Sequence, residues 1–582
     1  MFDLKIDYAK RVRLYGGAGM NRSSVIQNVQ QNPEFDVLVI GGGINGIGTF
    51  RDLALQGLRV LLVDKNDFCA GASAGSSHML HGGIRYLENG EFRLVREALH
   101  ERNLLLKNAA HYAKPLPTTI PIFQWFSGLF NAPLKFLRLI ERPSERGLIV
   151  IKAGLMMYDA FTGPQQTMPF HKVMGKAASL QRYPQMNSKI IATATYYDAY
   201  MPYPERLCLD LIRDAEESSS EVFALNYVSA ESANSSVVVL RDLQTGCTLE
   251  VQPRVVVNAA GPWIDFVNKA MGQPTRFIGG TKGSHLVLDH AELYEATGGH
   301  EIFFENSDGR IVLIFPYMGR VMIGTTDIRI DDPEQAECTS EEIDYMINLV
   351  KRVFPSIQVD HSHIVFTFTG VRPLPSSDAS FTGNVSRDHS IRTLESTQSG
   401  LKFPIHSLIG GKWTTYRAFS EQATDRVLSD LGKTRQASTA QLPIGGGKGF
   451  PMTPAERSAW LERLRQQTEL ELTTLSVLLD RYGTYAERVA TFMSQGNDAP
   501  LKTLPHYTER EVIFISQNEW VERLEDFFLR RSLVAMLGQA NRAVIEEVGQ
   551  IVGSALKWPN ERTKENIQLT ARCLAEKHHM RL

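Results

Sequence analysis

Between residues 35 and 64 the chain runs through apolar and small residues in a telling order. Phe35-Asp-Val-Leu-Val-Ile40 is short, apolar and β-branched, the pattern of a fully buried strand, and it enters Gly41-Gly-Gly-Ile-Asn-Gly46. Helical spacing follows from Ile44 to Gln56, and Gly57 stands where a helix end takes a left-handed residue. Leu58-Arg-Val-Leu-Leu-Val63 is a second buried strand, closed by Asp64; together these make a β-turn-α-turn-β unit of about 30 residues. A further helix is predicted over 92–109. The middle of the chain is richer in β-branched segments, at 222–229, 236–242, 248–258, 311–315, 320–325 and 363–368, with turn signals such as Gln244-Thr-Gly246 between them. One helix interrupts them at 340–354, opening on the capping-box pair Thr339 and Glu342 and ending before Pro355. From about 450 helical periodicity dominates, starting at Thr453, Pro454 and Glu456, and Gly445-Gly-Gly-Lys-Gly449 reads as the linker before it.

Composition narrows the classes. At about 100–200 residues per domain, 582 residues predict three to five domain-sized units. Apolar residues at 43% and charged residues at 22% exclude a largely disordered or fibrous chain. With 62 Lys+Arg against 64 Asp+Glu there is no basic excess, and no nucleic-acid partner is expected. Cys69, Cys208, Cys247, Cys338 and Cys573 form no CxxC pair or ligand-spaced cluster, so neither a disulfide framework nor a metal site is expected and a reducing compartment is the default. No apolar run reaches the ~18 residues of a spanning helix. Residues 1–33 carry Lys5, Lys10, Arg11, Arg13 and Arg22 against Asp3 and Asp7, and read as a surface extension rather than a processed targeting segment.

The glycine turn carries the first chemical signal. Gly41 makes the tight turn, Gly43 lets a pyrophosphate approach the backbone, and Gly46 lets helix pack on strand; the helix N-terminus, with Asn45 in its first turn, offers N–H groups to phosphate. Asp64 can accept a ribose 2′-hydroxyl, with Lys65 beside it. The fingerprint alone leaves NAD and FAD open. Residues 70–87 follow, too rich in glycine and serine for a core helix; small residues there permit close approach to a flat ring, and the hydroxyls of Ser73, Ser76 and Ser77 can bond phosphate or ring heteroatoms.

Seven motifs then occur in order: Ile40-Gly-Gly-Gly-Ile-Asn-Gly46, His81-Gly-Gly-Ile-Arg-Tyr-Leu-Glu88, Phe92-Arg-Leu-Val-x-Glu-Ala98, Lys282-Gly-Ser-His285, Gly324-Thr-Thr-Asp327, Gly370-Val-Arg-Pro-Leu374 and Gly410-Gly-Lys-x-Thr-Thr-Tyr-Arg417. The set closely resembles the FAD-dependent glycerol-3-phosphate dehydrogenases from about residue 35 to 420, and Glu525-Asp-Phe-Phe-Leu-Arg-Arg531 looks like that family's cap-domain helix. The chain departs from the family pattern at His78, where Lys is usual, and at Phe50, Gln56 and Ser420. The resemblance implies an α/β fold: a Rossmann-like FAD-binding domain (34–112, with 200–265 and 362–440), an antiparallel-sheet substrate domain like those of glutathione reductase and D-amino-acid oxidase (113–199 and 266–361), and a C-terminal helical cap domain (441–582). It also implies FAD as cofactor, glycerol 3-phosphate and dihydroxyacetone phosphate as substrate and product, a membrane quinone as electron acceptor, and a possible homodimer.

That reaction needs fixed cations for a phosphate of about −1.5 to −2 charge, a base for the C2 hydroxyl proton and a flavin to take the hydride. The resemblance places Arg372 and Arg387 on the phosphate, with Arg85 and Tyr86 as the next candidates. His285 is the expected base, since an unperturbed pKa near 6.5 suits proton abstraction around neutrality. Lys412 is expected to orient substrate or stabilise charge at the flavin, with Gly411, Thr414 and Thr415 beside it; His81, Gly82 and Gly83 are expected to position the ring. Val228 is read against the adenine, and Ala260 and Gly261 beside the flavin. Gly324-Thr-Thr-Asp327 reads equally as a turn with a purely geometric role.

The segment 120–140, with Phe123, Trp125, Phe126, Phe130 and Phe136 beside Lys135 and Arg138, reads as an interfacial stretch, its alternative being a core hairpin. A peripheral site on the cytoplasmic face of the inner membrane is therefore expected, a cytoplasmic or mitochondrial one being the alternative. Competing functional readings are an oxygen-using glycerol-3-phosphate oxidase, a related 2-hydroxy-acid or amine dehydrogenase, and a flavin-binding sensor without turnover.

Overall fold

Two sheets divide the chain, and their meeting line is where the predicted motifs gather. A computed structural model describes residues 22–87, 90–127, 146–162, 167–306, 310–377 and 388–582. In the first sheet the buried strand Glu34–Ile40 lies between Thr248–Asn258 and Val60–Val63, both parallel to it. Ile405–Ile409 and Val222–Leu225 extend the parallel array on either side, and Ser390–Leu394 closes one edge antiparallel. Near-continuous apolar runs suit strands covered on both faces. The helices Ile44–Leu55, Pro204–Ser218 and Tyr416–Leu431 cover one face, with Ile47, Phe50, Leu207, Leu211, Phe419 and Ala423 in one core, and Val25, Val29, Val238 and Leu249 pack on the other.

Among the described residues the second sheet has ten strands, mostly antiparallel, from Ile328–Arg329 to Met79–Leu80. Thr281–Leu288 runs within it between Arg320–Gly324 and Ile364–Arg372. C-terminal helices cover one face: Phe315, Met322 and Phe366 share a core with Val512, Phe527, Val544 and Val548.

Several expectations change here. The single segment 222–229 is two strands, broken at Tyr227, whose φ of 55° turns the chain. Met79–Leu80 and Ile364–Arg372 pair in the second sheet, although 34–112 and 362–440 were expected to build the first. The reading of 1–33 as a surface extension gives way for the helix Arg22–Gln31: Val25 and Val29 are buried against the first sheet, and Arg22 pairs with Asp242 at 2.6 Å. Gly445–Gly449 is no loose linker. A Cβ at Gly446 would lie 1.9 Å from the Tyr482 carbonyl, so this glycine lets two backbones touch, and one at Gly445 would lie 2.0 Å from Asp210 Oδ2, so that glycine makes room for the carboxylate.

Candidate active site

The glycine turn has the geometry its sequence asks for. Gly41 adopts φ 113°, and a Cβ there would stand 2.5 Å from the Ala259 carbonyl. A Cβ on Gly46 would fall 1.9 Å from the Gly41 carbonyl oxygen. At Gly43 the situation differs: the nearest atom to a Cβ is Ser73 Oγ at 3.3 Å, leaving its outer side open to a ligand. Ile44 N–H, at the helix start, donates to Ser73 Oγ at 2.9 Å. Asp64 accepts from Gly42 N at 2.6 Å and Asn66 N at 2.7 Å, while burial pushes its carboxyl up to about 6. Val228 is buried beside it, its N–H bonded to the Asp64 carbonyl at 2.7 Å. Across the turn, Ala260 N–H donates to Asn258 Oδ1 and Gly261 takes φ 57°.

Residues 70–87 form the hinge between the two sheets. A Cβ on Gly75 would meet Gly370 Cα at 2.4 Å, so the loop lies backbone to backbone on the strand Ile364–Arg372. The serine hydroxyls, expected to reach a ligand, are engaged by protein. Ser73 receives the helix N–H, Ser76 donates to the Ser73 carbonyl at 3.3 Å, and Ser77 Oγ lies 2.7 Å from His285 Nε2. Lys65 pairs with Glu334 and sits over the Trp263 ring.

His285 is buried in the strand Thr281–Leu288, opposite Phe368 on one side and Gly324 on the other. Its ring stacks on Phe368 with centroids 4.6 Å apart. A Cβ on Gly324 would strike the imidazole Cδ2 at 2.2 Å, which answers why Gly324-Thr-Thr-Asp327 is there: glycine makes room for the ring. Burial, then the Arg372 charge and His78, push His285 well below the usual histidine range. The expected value near neutrality is thus corrected downward, in favour of the neutral imidazole. Its Nδ1 is buried without a hydrogen bond among the described residues.

Arg372 projects across Gly283, where a Cβ would meet its guanidinium at 2.3 Å. It donates to Thr325 Oγ1 at 3.1 Å and to the Thr326 carbonyl, and pairs with Asp327 at 3.3 Å. The side chain stays partly exposed at 26%. Lys412 Nζ lies 3.8 Å from the centroid of the Tyr86 ring, which in turn stacks on His81 beside Gly83. Thr414 Oγ1 donates to the His81 carbonyl, and Gly411, at φ 92°, faces Asn45. Arg85 falls in the turn Ile84–Leu87, and Arg387 lies outside the described residues.

These residues fit a dinucleotide cofactor. The turn leaves a cradle at Gly43, and Asn45 Oδ1 and Thr415 Oγ1 are buried without hydrogen bonds among the described residues, polar atoms set to meet a polar group. Comparison with known proteins decides the family. Residues 36–398 match the model of the FAD dependent oxidoreductases, and residues 437–563 that of the C-terminal domain of alpha-glycerophosphate oxidase. The glycerol-3-phosphate dehydrogenase of Synechocystis sp. is 32% identical over 565 residues, covering 92% of this chain and 96% of that protein. The chain belongs to the FAD-dependent glycerol-3-phosphate dehydrogenase family.

The aerobic glycerol-3-phosphate dehydrogenase of Escherichia coli is 31% identical over 543 residues, 92% of this chain and 99% of that one. In three dimensions the glycerol-3-phosphate dehydrogenase from Bacillus halodurans, solved with FAD, matches with TM-score 0.73 at 23% identity, covering 96% and 98% of the two chains, so the fold is shared throughout.

Within this family member, three further groups support the site, of which only His78 is singled out in the sequence, as lying near the flavin segment. Asp198 is buried; it accepts from Gly82 N–H at 3.1 Å, Tyr158 OH at 2.6 Å and Arg102 Nη1 at 2.8 Å, fixing the His81-Gly82-Gly83 backbone. Glu342 accepts from Lys282 at 2.8 Å, Ser284 at 2.9 Å and Thr326 at 2.5 Å, locking the Thr325–Thr326 turn behind Arg372. The third is His78, at φ 56°, buried against Tyr317 and Phe368 and held by burial at about 4. Asp198 gave no signal because its partners lie far away in sequence. Glu342 was visible only as the capping-box acid.

Proposed function

We propose that the chain oxidises sn-glycerol 3-phosphate to dihydroxyacetone phosphate with FAD as acceptor of the hydride, and that the electrons pass on to a membrane quinone. The observation that carries this reading is the convergence, on one loop-to-strand contact, of a neutral buried histidine and a guanidinium. His285 and Arg372 stand on adjacent strands, and Gly75 of the flavin loop touches Gly370 between them. FAD, when bound, supplies a two-electron acceptor.

Gly41, Gly43 and Gly46, the N–H groups at the start of the helix and Asp64 would hold its pyrophosphate and ribose, with Val228 at the adenine. Arg372, with Arg85 and Arg387, would hold the substrate phosphate; its position is fixed by Thr325, the Thr326 carbonyl and Asp327, so little order is lost on binding. His285 would accept the C2 hydroxyl proton. If its Nε2 carries the proton donated to Ser77, Nδ1 presents a lone pair to the substrate, and burial ensures the ring arrives unprotonated. Lys412, held against Tyr86, would stabilise negative charge beside the ring. The domain limits expected from sequence stand as part of this proposal, amended at 22–31, Met79–Leu80 and Ile364–Arg372.

Membrane association is supported by an exposed apolar face. Trp125 and Phe126 are 54% and 64% exposed, and Ile149 and Met156 of the adjoining helix Leu148–Thr162 are 42% and 58%. Residues 128–140 of the aromatic segment lie outside the described residues, and Ile120–Ile122 belong to a strand of the second sheet. Among the described residues no helix is long and apolar enough to cross a membrane. We place the protein peripherally on the cytoplasmic face of the inner membrane. The test is anaerobic mixing of the yellow protein with glycerol 3-phosphate: flavin bleaching supports the reading, and reoxidation by quinone rather than oxygen supports the acceptor.

A further inference from the structure

The loop that follows Asp64 is held from the C-terminal side of the molecule. Asp67 is buried, and its carboxylate accepts from Arg530 Nε at 2.5 Å, from Arg531 Nη1 and Nη2 at 2.5 and 2.8 Å, and from Asn226 Nδ2 at 2.8 Å. Burial alone would lift this carboxyl, but the two guanidiniums hold it down at about 2. Consecutive residues of a regular helix point about 100° apart. Here one wide π-helical turn, Phe527–Arg531, lets neighbouring arginines converge on a single acid. Arg530 also donates to Asp526 at 2.9 Å, and Tyr227 OH donates to the same oxygen at 2.5 Å.

This cluster leads directly to the cofactor residues. Tyr227 N–H bonds the Asn66 carbonyl at 3.0 Å, and Val228 N–H bonds the Asp64 carbonyl at 2.7 Å. On the other side of Asp67, Cys69 N–H donates to the Gly42 carbonyl at 2.7 Å. Phe68, between Asp67 and Cys69, packs edge-on against Trp520, whose carbonyl accepts from both Asn226 and Arg531. Charges buried among such contacts are tolerated only while their partners are in place.

We infer that the C-terminal helical region is the outer support of the adenosine half of the FAD site: Arg530 and Arg531, through Asp67, hold the loop 64–69 and the Tyr227–Val228 corner in the shape that receives ribose and adenine. Arg530, Arg531, Asp67 and Tyr227 are positioning residues, acting through Asp64 and Val228, and the inference rests on the proposed placement of FAD at those two residues. It gives the C-terminal region a function in cofactor retention.

The experiment measures FAD release from the holoenzyme on dilution, by recovered flavin fluorescence, together with the holoenzyme's melting temperature, for the wild type, Arg530→Met, Asp67→Asn and Tyr227→Phe. The expected result is FAD bound roughly ten- to a hundredfold more weakly in Arg530→Met and Asp67→Asn, measured well below their melting temperatures. Tyr227→Phe, which deletes one hydroxyl and leaves the charges paired, should weaken FAD by roughly two- to fivefold. If the first two do not fold, Tyr227→Phe decides alone. Variants that melt earlier yet hold FAD as tightly as the wild type would overturn the inference, because the network would then only join two parts of the chain. A wild type that binds no FAD would defeat the parent reading instead.

Discussion

Arg372 and His285 differ in what their surroundings ask of them. The guanidinium is oriented by Thr325, the Thr326 carbonyl and Asp327, and its side chain remains partly exposed. A phosphate dianion about 4 Å away interacts by several kcal/mol at an effective dielectric of about 20, and desolvation returns part of that. Arg372→Met should therefore lose ~2–4 kcal/mol, or about 30- to 1000-fold in kcat/KM for glycerol 3-phosphate. Glycerol, which lacks the phosphate, is the control: its very slow oxidation should be nearly unchanged. Equal losses on both substrates would mean that Arg372 supports the fold or the flavin. For His285 the prediction concerns pH. With its pKa pushed well below the usual range, the base stays unprotonated as pH falls through about 6.5, so kcat should hold level there and decline only at lower pH. A kcat halved near pH 6.5 would show a histidine in an ordinary environment. Buried Glu301, raised to about 8 by burial while accepting from Thr118, carries the opposite sign. Its proton stabilises the fold below the unfolded-state pKa near 4.5, and that stability is lost as pH rises through about 8. Glu301→Gln, which cannot ionise, should gain on the wild type in melting temperature between about pH 5 and about pH 9; a flat difference would refute the assignment.

At the scale of elements, the three glycines of the turn are not equivalent. Gly41 and Gly46 are required by the protein's own backbone, whereas a side chain at Gly43 meets only Ser73 Oγ near its Cβ. Gly43→Val should consequently give folded, colourless protein, checked by circular dichroism and flavin absorbance; full absorbance would sink the cradle. The turn was legible because its chemistry is local: strand, glycines, helix and Asp64 lie within one stretch of chain. Helix starts at Thr339 and Thr453 were legible for the same reason, and both capping boxes form. The strand Lys114–Ile122 was not. Pro115, Pro117 and Pro121 argue against a central strand, yet they share one parity, so their missing N–H groups all point away from the long partner Ala192–Tyr200. The neighbour on that other side pairs only at Thr118 and Thr119. What the sequence hid, in each case, was pairing between distant segments: Asp198 with Gly82, Glu342 with Thr326, Gly75 with Gly370.

Across the whole molecule the apolar surface and the reaction are separable. Trp125 and Phe126 are exposed just past the end of the strand Lys114–Ile122, so Trp125→Ser with Phe126→Ser should release the protein from membranes and leave flavin reduction by substrate intact. Insoluble protein would mean that this face packs against the rest of the chain. The central claim, that one loop-to-strand contact brings the cofactor residues, a neutral base and a phosphate-binding arginine together, is tested most directly by a single measurement. Holoenzyme is mixed anaerobically with glycerol 3-phosphate, and the flavin absorbance is followed in the wild type and in Arg372→Met. Rapid bleaching in the wild type and a slow, weakly saturating one in the variant are the predicted result; flavin that stays oxidised in the wild type, or bleaches equally fast in both, would contradict it.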